Sequence, residues 1–186
     1  MRLIRGLHNL REQDRGCVAT IGNFDGVHLG HRTVFRRLLQ RGQELGLPAT
    51  VITFEPQPME YFQPDAAPAR LTRLREKLAA IEADGIQRVM LLEFGPRLAA
   101  MPADAFIDRL LVRGLGVRFL LVGDDFRFGR NRGGDFQLLQ AAGAQRGFEV
   151  ENLHTITQGE ERISSTRVRE ALARGELEQA RHLLGR

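Results

Sequence analysis

This 186-residue sequence predicts an α/β fold built on an open, parallel sheet with helices on both faces. Three observations carry that prediction. Short β-branched runs alternate with longer amphipathic stretches from residue 17 onward. Strand, helix, strand in that order requires right-handed crossovers between parallel strands. The residues that fit neither period collect in three segments, 22–31, 54–62 and 123–134, each just past an expected strand. Open sheets of this kind bind ligands beyond the carboxyl ends of their strands.

The elements follow in order. Cys17 to Ile21 reads as a buried strand, and Gly30 to Leu45 as an amphipathic helix with Val34, Leu38, Leu39 and Leu45 on one side. Ala49 to Phe54 is a second strand, closed by a turn at Pro56 and Pro58. Residues 56–69 hold four prolines without periodicity and read as a long loop, a frequent home of function. Thr72 is the expected N-cap of a helix running to Ala83, and Gly85 ends it. Val89 to Phe94 is a third strand. A helix from about Pro102 to Arg113 leads through Gly114 and Gly116 into a fourth, Arg118 to Val122. A helix over Asp135 to Gln145, a turn at Gly147 and a fifth strand, Phe148 to Leu153, come next. Two short helices, Thr166 to Ala173 and Glu176 to Leu184, close the chain. About five strands are therefore expected.

Composition bounds the function. Hydrophobic residues make up 42% and charged residues 27%, as in an ordinary globular protein, and the length suits one domain spanning 1–186. No apolar run approaches the ~18 residues that cross a bilayer. Met1-Arg2-Leu3-Ile4-Arg5 lacks the apolar core of a signal peptide, and Cys17 is the only cysteine, so a reducing, cytoplasmic setting is expected. The net charge is +4, and Lys77 is the only lysine among 27 basic side chains. The arginines alternate with acids, as in Arg73-Leu74-Arg75-Glu76-Lys77, so a mixed surface is expected and neither a nucleic-acid stripe nor a membrane partner.

The strongest chemical signal is Gly22-Asn23-Phe24-Asp25-Gly26-Val27-His28-Leu29-Gly30-His31. It joins a buried strand to a helix, where free backbone N–H groups and the helix dipole favour an anion. Gly22, Gly26 and Gly30 carry no side chain to hold a phosphate away from that backbone. One helical turn brings His28 and His31 to the same side. A bound triphosphate would raise both imidazole pKa values, and both rings would then donate to phosphate oxygens as charge develops. A metal site would need a third ligand that the sequence does not show.

The second signal is Arg162-Ile163-Ser164-Ser165-Thr166-Arg167-Val168-Arg169. A single hydroxyl suffices to cap a helix. Three in a row with flanking guanidiniums suit phosphate oxygens, so this turn and the histidine turn are expected to grip one triphosphate from opposite sides.

Taken together, these segments resemble the N-terminal adenylyltransferase module of the bacterial bifunctional riboflavin kinase/FMN adenylyltransferases, the FAD synthetases. Besides the two turns, the resemblance rests on Thr53-Phe54-Glu55-Pro56-Gln57-Pro58, Leu71-Thr72, Glu76-Lys77 and Val122-Gly123-Asp124-Asp125-Phe126-Arg127-Phe128-Gly129, which run in family order over nearly the whole chain. His-x-Gly-His alone marks only the wider nucleotidyltransferase superfamily. The Phe-x-Pro-x-Pro and Gly-x-Asp-Phe-Arg-Phe-Gly segments narrow it to the flavin branch.

The resemblance implies a Rossmann-like nucleotidyltransferase fold and adenylyl transfer from ATP to FMN with Mg²⁺, giving FAD and pyrophosphate. It implies that Gly22, Asn23, Phe24, Gly26, His28, Gly30, His31, Ser164, Ser165, Thr166 and Arg169 bind ATP, with His28, His31 and Arg169 catalytic. It places Phe54, Pro56, Pro58, Tyr61, Phe62, Asp125, Phe126, Arg127 and Phe128 on the flavin side, where an isoalloxazine needs a flat apolar wall with a few polar groups. No Mg²⁺ ligand is assigned, since Asp25 serves equally well as a structural residue of its turn. Leu98 stands where the family usually has Phe. The family continues into a riboflavin kinase β-barrel, so kinase activity is expected to be absent from these 186 residues. The competing readings are a sister nucleotidyltransferase with another nucleotide or acceptor, a class I aminoacyl-tRNA synthetase fragment, which the lack of a lysine-rich second loop disfavours, and a non-catalytic flavin- or nucleotide-sensing module.

Overall fold

All five residues of Cys17–Ile21 are buried, as a strand must be when both its edges pair and both its faces are covered. This strand, β2, is the axis of the sheet. The computed structural model describes residues 1–123, 125–153, 157–158 and 161–186. Its sheet also contains β1 (Arg2–Arg5), β3 (Ala49–Glu55), β4 (Arg88–Glu93), β5 (Val117–Gly123) and β6 (Glu149–Leu153), all parallel, in the order β1-β4-β3-β2-β5-β6. Chain order reverses at β2, which lies between β3 and β5. The crevice beyond the carboxyl end of β2 is thus the switch point of an open α/β sheet.

Side-chain alternation along the strands feeds two cores. Cys17, Ala19 and Ile21 point with Ile52, Met90, Leu120 and Val122 to one face. Helix α5 (Ala103–Phe106), its continuation over Ile107–Val112, and α6 (Phe136–Arg146) cover that face through Leu110, Leu111 and Leu139. Val18, Val51, Val89 and Phe119 point to the other, under Phe35 and Leu38 of α1 (Leu29–Leu45) and Ile81 of α3 (Leu74–Ala83). A third, small cluster joins α7 (Ser165–Ala173) to α8 (Leu177–Leu184) through Val168 and Leu183. No helix among the described residues is long and apolar enough to cross a membrane.

The five expected strands are present to within a residue at each end, and the α/β class with helices on both faces is confirmed. The sheet has a sixth strand, β1, that the sequence reading did not assign. It is four residues long, two of them arginine, and it pairs only with β4. Buried Asp14 anchors it by accepting from Arg2 Nη2 at 2.9 Å. A pair of two-residue antiparallel strands, β7 (Thr157–Gln158) and β8 (Glu161–Arg162), is also new.

Three local expectations change. The 56–69 segment is not featureless, because Pro58 opens a short helix, α2 (Pro58–Phe62), and Gln57 N donates to Glu60 Oε2 at 2.8 Å. Thr72 does not cap α3; Arg73 is the cap, with its N–H on Glu76 Oε2 at 2.8 Å. The expected Pro102–Arg113 helix is regular only to Phe106 and then widens into π-type turns, Arg113 N reaching Asp108 O at 2.8 Å. Between it and β4 lies α4 (Pro96–Ala99).

Candidate active site

The turn after β2 is built from backbone that side chains rarely adopt. Phe24, Gly26 and Val27 have φ of 49°, 80° and 43°. A β-branched residue such as Val27 at positive φ is strained and persists only where its surroundings over-determine it. Asp25 supplies much of that determination. Its carboxylate, 3% exposed, accepts from Leu71 N, Thr72 N and Thr72 Oγ1 at 3.0–3.1 Å and pairs with Arg169 Nη2 at 2.6 Å. Its carbonyl accepts from Ser165 Oγ at 2.9 Å, and Gly26 N donates to Thr72 Oγ1 at 3.0 Å. From the outer side, Arg186 donates to the carbonyls of Gly26 at 2.7 Å and Val27 at 3.2 Å.

The turn delivers both histidines to one place. His28 is the N-cap of α1, its Nδ1 accepting from His31 N at 3.3 Å. The two rings stack with centroids 3.6 Å apart, and His31 meets the edge of Phe24 at 5.1 Å. Burial, with His28 and Lys77 nearby, pushes the His31 pKa well below its ordinary value. Its Nδ1 is shut from solvent and has no partner among the described residues.

A cavity of about 460 Å³ opens beside these rings. Gly22, Asn23, Phe24, Asp25, His28, Gly30 and His31 form one wall; Ser164, Ser165 and Thr166 form another. Gly123, Asp125 and Phe126 of the loop after β5, with Leu153 at the end of β6, complete it. Gly30 has a steric reason, since a Cβ there would lie 3.1 Å from His28 Nδ1 and 3.2 Å from the Ile163 carbonyl. The two turns, far apart in sequence, are therefore neighbours across one cleft.

The three hydroxyls do different things. Ser164 caps α7, accepting from Arg167 N at 3.3 Å, Ser165 ties to Asp25, and Thr166 is exposed on the cavity wall. Arg169 does not line the cavity; its guanidinium is committed to Asp25 and to the Ala69 carbonyl, the latter at 2.7 Å. Asp124, part of the Gly-x-Asp-Phe-Arg-Phe-Gly segment, lies outside the described residues.

The aromatic side divides into two groups. Tyr61 and Phe62, both exposed, and buried Phe54 surround the ring of Phe94 at centroid distances of 5.5–5.7 Å. Phe126 stacks on Phe128 at 5.5 Å, and Phe128, 6% exposed, packs on Phe106. Phe54 and Phe128 belong to the core that also holds Phe94, Leu98 and Phe126 at its margin, so both are packing residues as much as wall. Pro56 and Pro58 are half-buried, while Arg127 is exposed and donates to the Phe126 carbonyl at 3.4 Å. Phe94 was missed because at a strand end it reads as core. Arg70, bonded to Glu55 and Glu60 at 2.7 and 2.5 Å, was missed because no motif marks it.

A strand-end turn with two stacked imidazoles thus faces a hydroxyl turn across a cleft. The model of the FAD synthetase family matches residues 10–167. The chain belongs to the FAD synthetase family. It is 54% identical, over all 186 residues, to the bifunctional riboflavin kinase/FMN adenylyltransferases of Pseudomonas fluorescens and Escherichia coli K12. It spans 60% and 59% of those two proteins. Among solved structures, a Streptococcus pneumoniae protein described as a macrolide-efflux protein superposes with a TM-score of 0.85 over the whole chain and 60% of its own, at 23% identity. That likeness speaks for the fold alone.

Proposed function

We propose that this chain transfers the adenylyl group of ATP to FMN, giving FAD and pyrophosphate. One observation carries the reading: the histidine turn and the hydroxyl turn line a single cleft at the switch point of the sheet. An FMN phosphate oxygen attacks the α-phosphorus, a P–O bond forms there, and the bond to the β-phosphate breaks. The monoester is already anionic near neutral pH, so positioning and charge stabilisation supply the catalysis.

In this reading His28 and His31 meet the polyphosphate, aided by the N–H groups at the start of α1 and by Ser164, Ser165 and Thr166. Arg169 supports them through Asp25. Tyr61, Phe62, Phe94 and Phe126 offer the apolar faces for the isoalloxazine. Buried His31 takes up its proton as the nucleotide arrives, because a neighbouring polyphosphate favours the imidazolium.

Mg²⁺ enters this reading as the counter-ion of ATP, screening its phosphate oxygens. The described side chains form no all-protein cage for it. Among the described residues no group of three or more His, Cys, Asp or Glu could hold a metal, and the Asp25 carboxylate already serves four donors. The setting proposed is the cytoplasm, with small-molecule substrates as the partners of these residues; the kinase activity is named for a relative of which this chain spans 60%, and is not proposed for these residues.

The test is direct: purified protein with FMN and Mg-ATP, FAD followed by chromatography and pyrophosphate by a coupled assay. FAD formed at stoichiometry with pyrophosphate is the expected result. Pyrophosphate only with another nucleotide or acceptor would point to a sister transferase, and tight FMN binding without turnover to a sensor.

A further inference from the structure

Lys77 is the one lysine in a chain whose other basic side chains are all arginine, and it is 1% exposed. Its ammonium nitrogen has no hydrogen-bond partner among the described residues. An unpaired buried ammonium is among the most costly groups a fold can carry. Lys77 also sits at a particular place. Its helix starts just after Arg70, which bonds Glu55 and Glu60 of the loop after β3, and Thr72, which bonds Asp25 and Gly26 of the phosphate turn. Lys77 lies one turn in, its N–H on the Arg73 carbonyl at 2.9 Å. None of the three carboxylates uses it. Asp25 is saturated by Arg169, Leu71 and Thr72, and both glutamates are bonded to Arg70.

We infer that Lys77 is a catalytic residue whose ammonium binds the phosphate monoester of the flavin acceptor, on the seam between the histidine turn and the aromatic loop. This rests on the adenylyl-transfer reading. An acceptor stacked on the aromatic group after β3, with its phosphate aimed at the nucleotide beside His31, must bring a dianion across that seam. A compact ammonium on a flexible four-carbon stem meets a single phosphate oxygen from varied angles, which a rigid guanidinium fork does not. Burial lowers the Lys77 pKa in the free protein, and an arriving dianion would raise it again by favouring the charged form.

The experiment compares FMN with riboflavin, which lacks the phosphate. Flavin fluorescence quenching gives both affinities for the wild type, Lys77→Met, Lys77→Gln and Lys77→Arg. The wild type should prefer FMN; Lys77→Met and Lys77→Gln should lose about 10–100-fold in FMN affinity and nothing for riboflavin, the loss of one charge-assisted hydrogen bond. Their kcat/KM for FMN should fall about 10²–10³-fold with the KM for ATP unchanged. Thermal unfolding gives the decisive cross-check, since removing an orphan buried ammonium should leave Tm equal or higher. Should Lys77→Met fail to fold, Lys77→Gln carries the comparison. A folded variant that keeps the wild-type preference for FMN overturns the inference. A wild type that makes no FAD sinks the reaction and not the phosphate contact, because the FMN-against-riboflavin comparison needs no turnover.

Discussion

The guanidinium of Arg169 lies 2.6 Å from the carboxylate of Asp25, so this arginine helps to hold the histidine turn. The Asp25 side chain is 3% exposed and that of Arg169 20%, which makes the pair a part-buried one with its carboxylate fully inside. Arg169→Ala leaves a buried carboxylate with only its three remaining donors. The expected loss is about 2–3 kcal/mol of stability in urea titration, with kcat falling as the turn loosens. Unchanged stability together with a weaker grip on ATP would instead give Arg169 a direct phosphate contact.

His31→Ala should lower kcat/KM about 10²–10³-fold, the range seen when a donor to developing negative charge is removed. The ring lines a cavity, so the fold should survive. A variant that keeps half the wild-type rate would take His31 out of the chemistry. Acid stability gives a second reading of the same residue. Burial holds His31 neutral in the native protein, whereas it titrates near its usual value of about 6.5 when unfolded. The unfolded state therefore binds the extra proton first. His31 contributes stability above about pH 6.5, and that contribution is lost progressively as pH falls below it. In His31→Gln the slope of stability against pH between 6.5 and 5 should be shallower than in the wild type.

Cys17 is fully buried, and burial pushes its thiol up to about 11. Native protein at pH 8 should resist iodoacetamide, and labelling should track global unfolding in urea. The sign at high pH follows. The unfolded thiol ionises near its ordinary value and the native one does not, so stability is lost as pH rises from about 9 through 11. Cys17→Ala should remove that component of alkaline unfolding. Rapid alkylation of folded protein would contradict the buried placement.

Gly26 combines φ of +80° with a Cβ position 2.8 Å from Leu71 Cδ1. Gly26→Ala should cost about 1–2 kcal/mol for the left-handed backbone alone, with a further displacement of Leu71. Because the turn carries His28 and His31, activity should fall more than stability predicts. A rate equal to wild type in a folded variant would show that the turn tolerates reshaping.

Much of the architecture was legible in the residues because strand and helix periods differ so sharply. Cys17–Ile21 is entirely buried and its sequence says so. β1 was not legible: Arg2 and Arg5 flank Leu3 and Ile4, and a four-residue edge strand has no period to read. The convergence of the histidine and hydroxyl turns was expected from their chemistry, and the cleft contains both. Local competition was harder to foresee. Thr72 looked like a helix cap, yet its hydroxyl serves Asp25 and Gly26, while Glu76 reaches back to cap α3 through Arg73. Arg169 looked like a phosphate ligand because sequence shows a guanidinium's charge but not which carboxylate claims it. The aromatics were identified by type, but which of them are walls and which are filling depends on distances between loops, and Phe94 sits at the centre of one group without belonging to any motif.

Arg186 donates to the Gly26 and Val27 carbonyls, and Arg32 holds the Gly185 carbonyl at 3.2 Å. The far end of α8 is thereby hitched to the bend that carries both imidazoles. Strain in that helix reaches the bend through these two guanidiniums, neither of which lines the cleft.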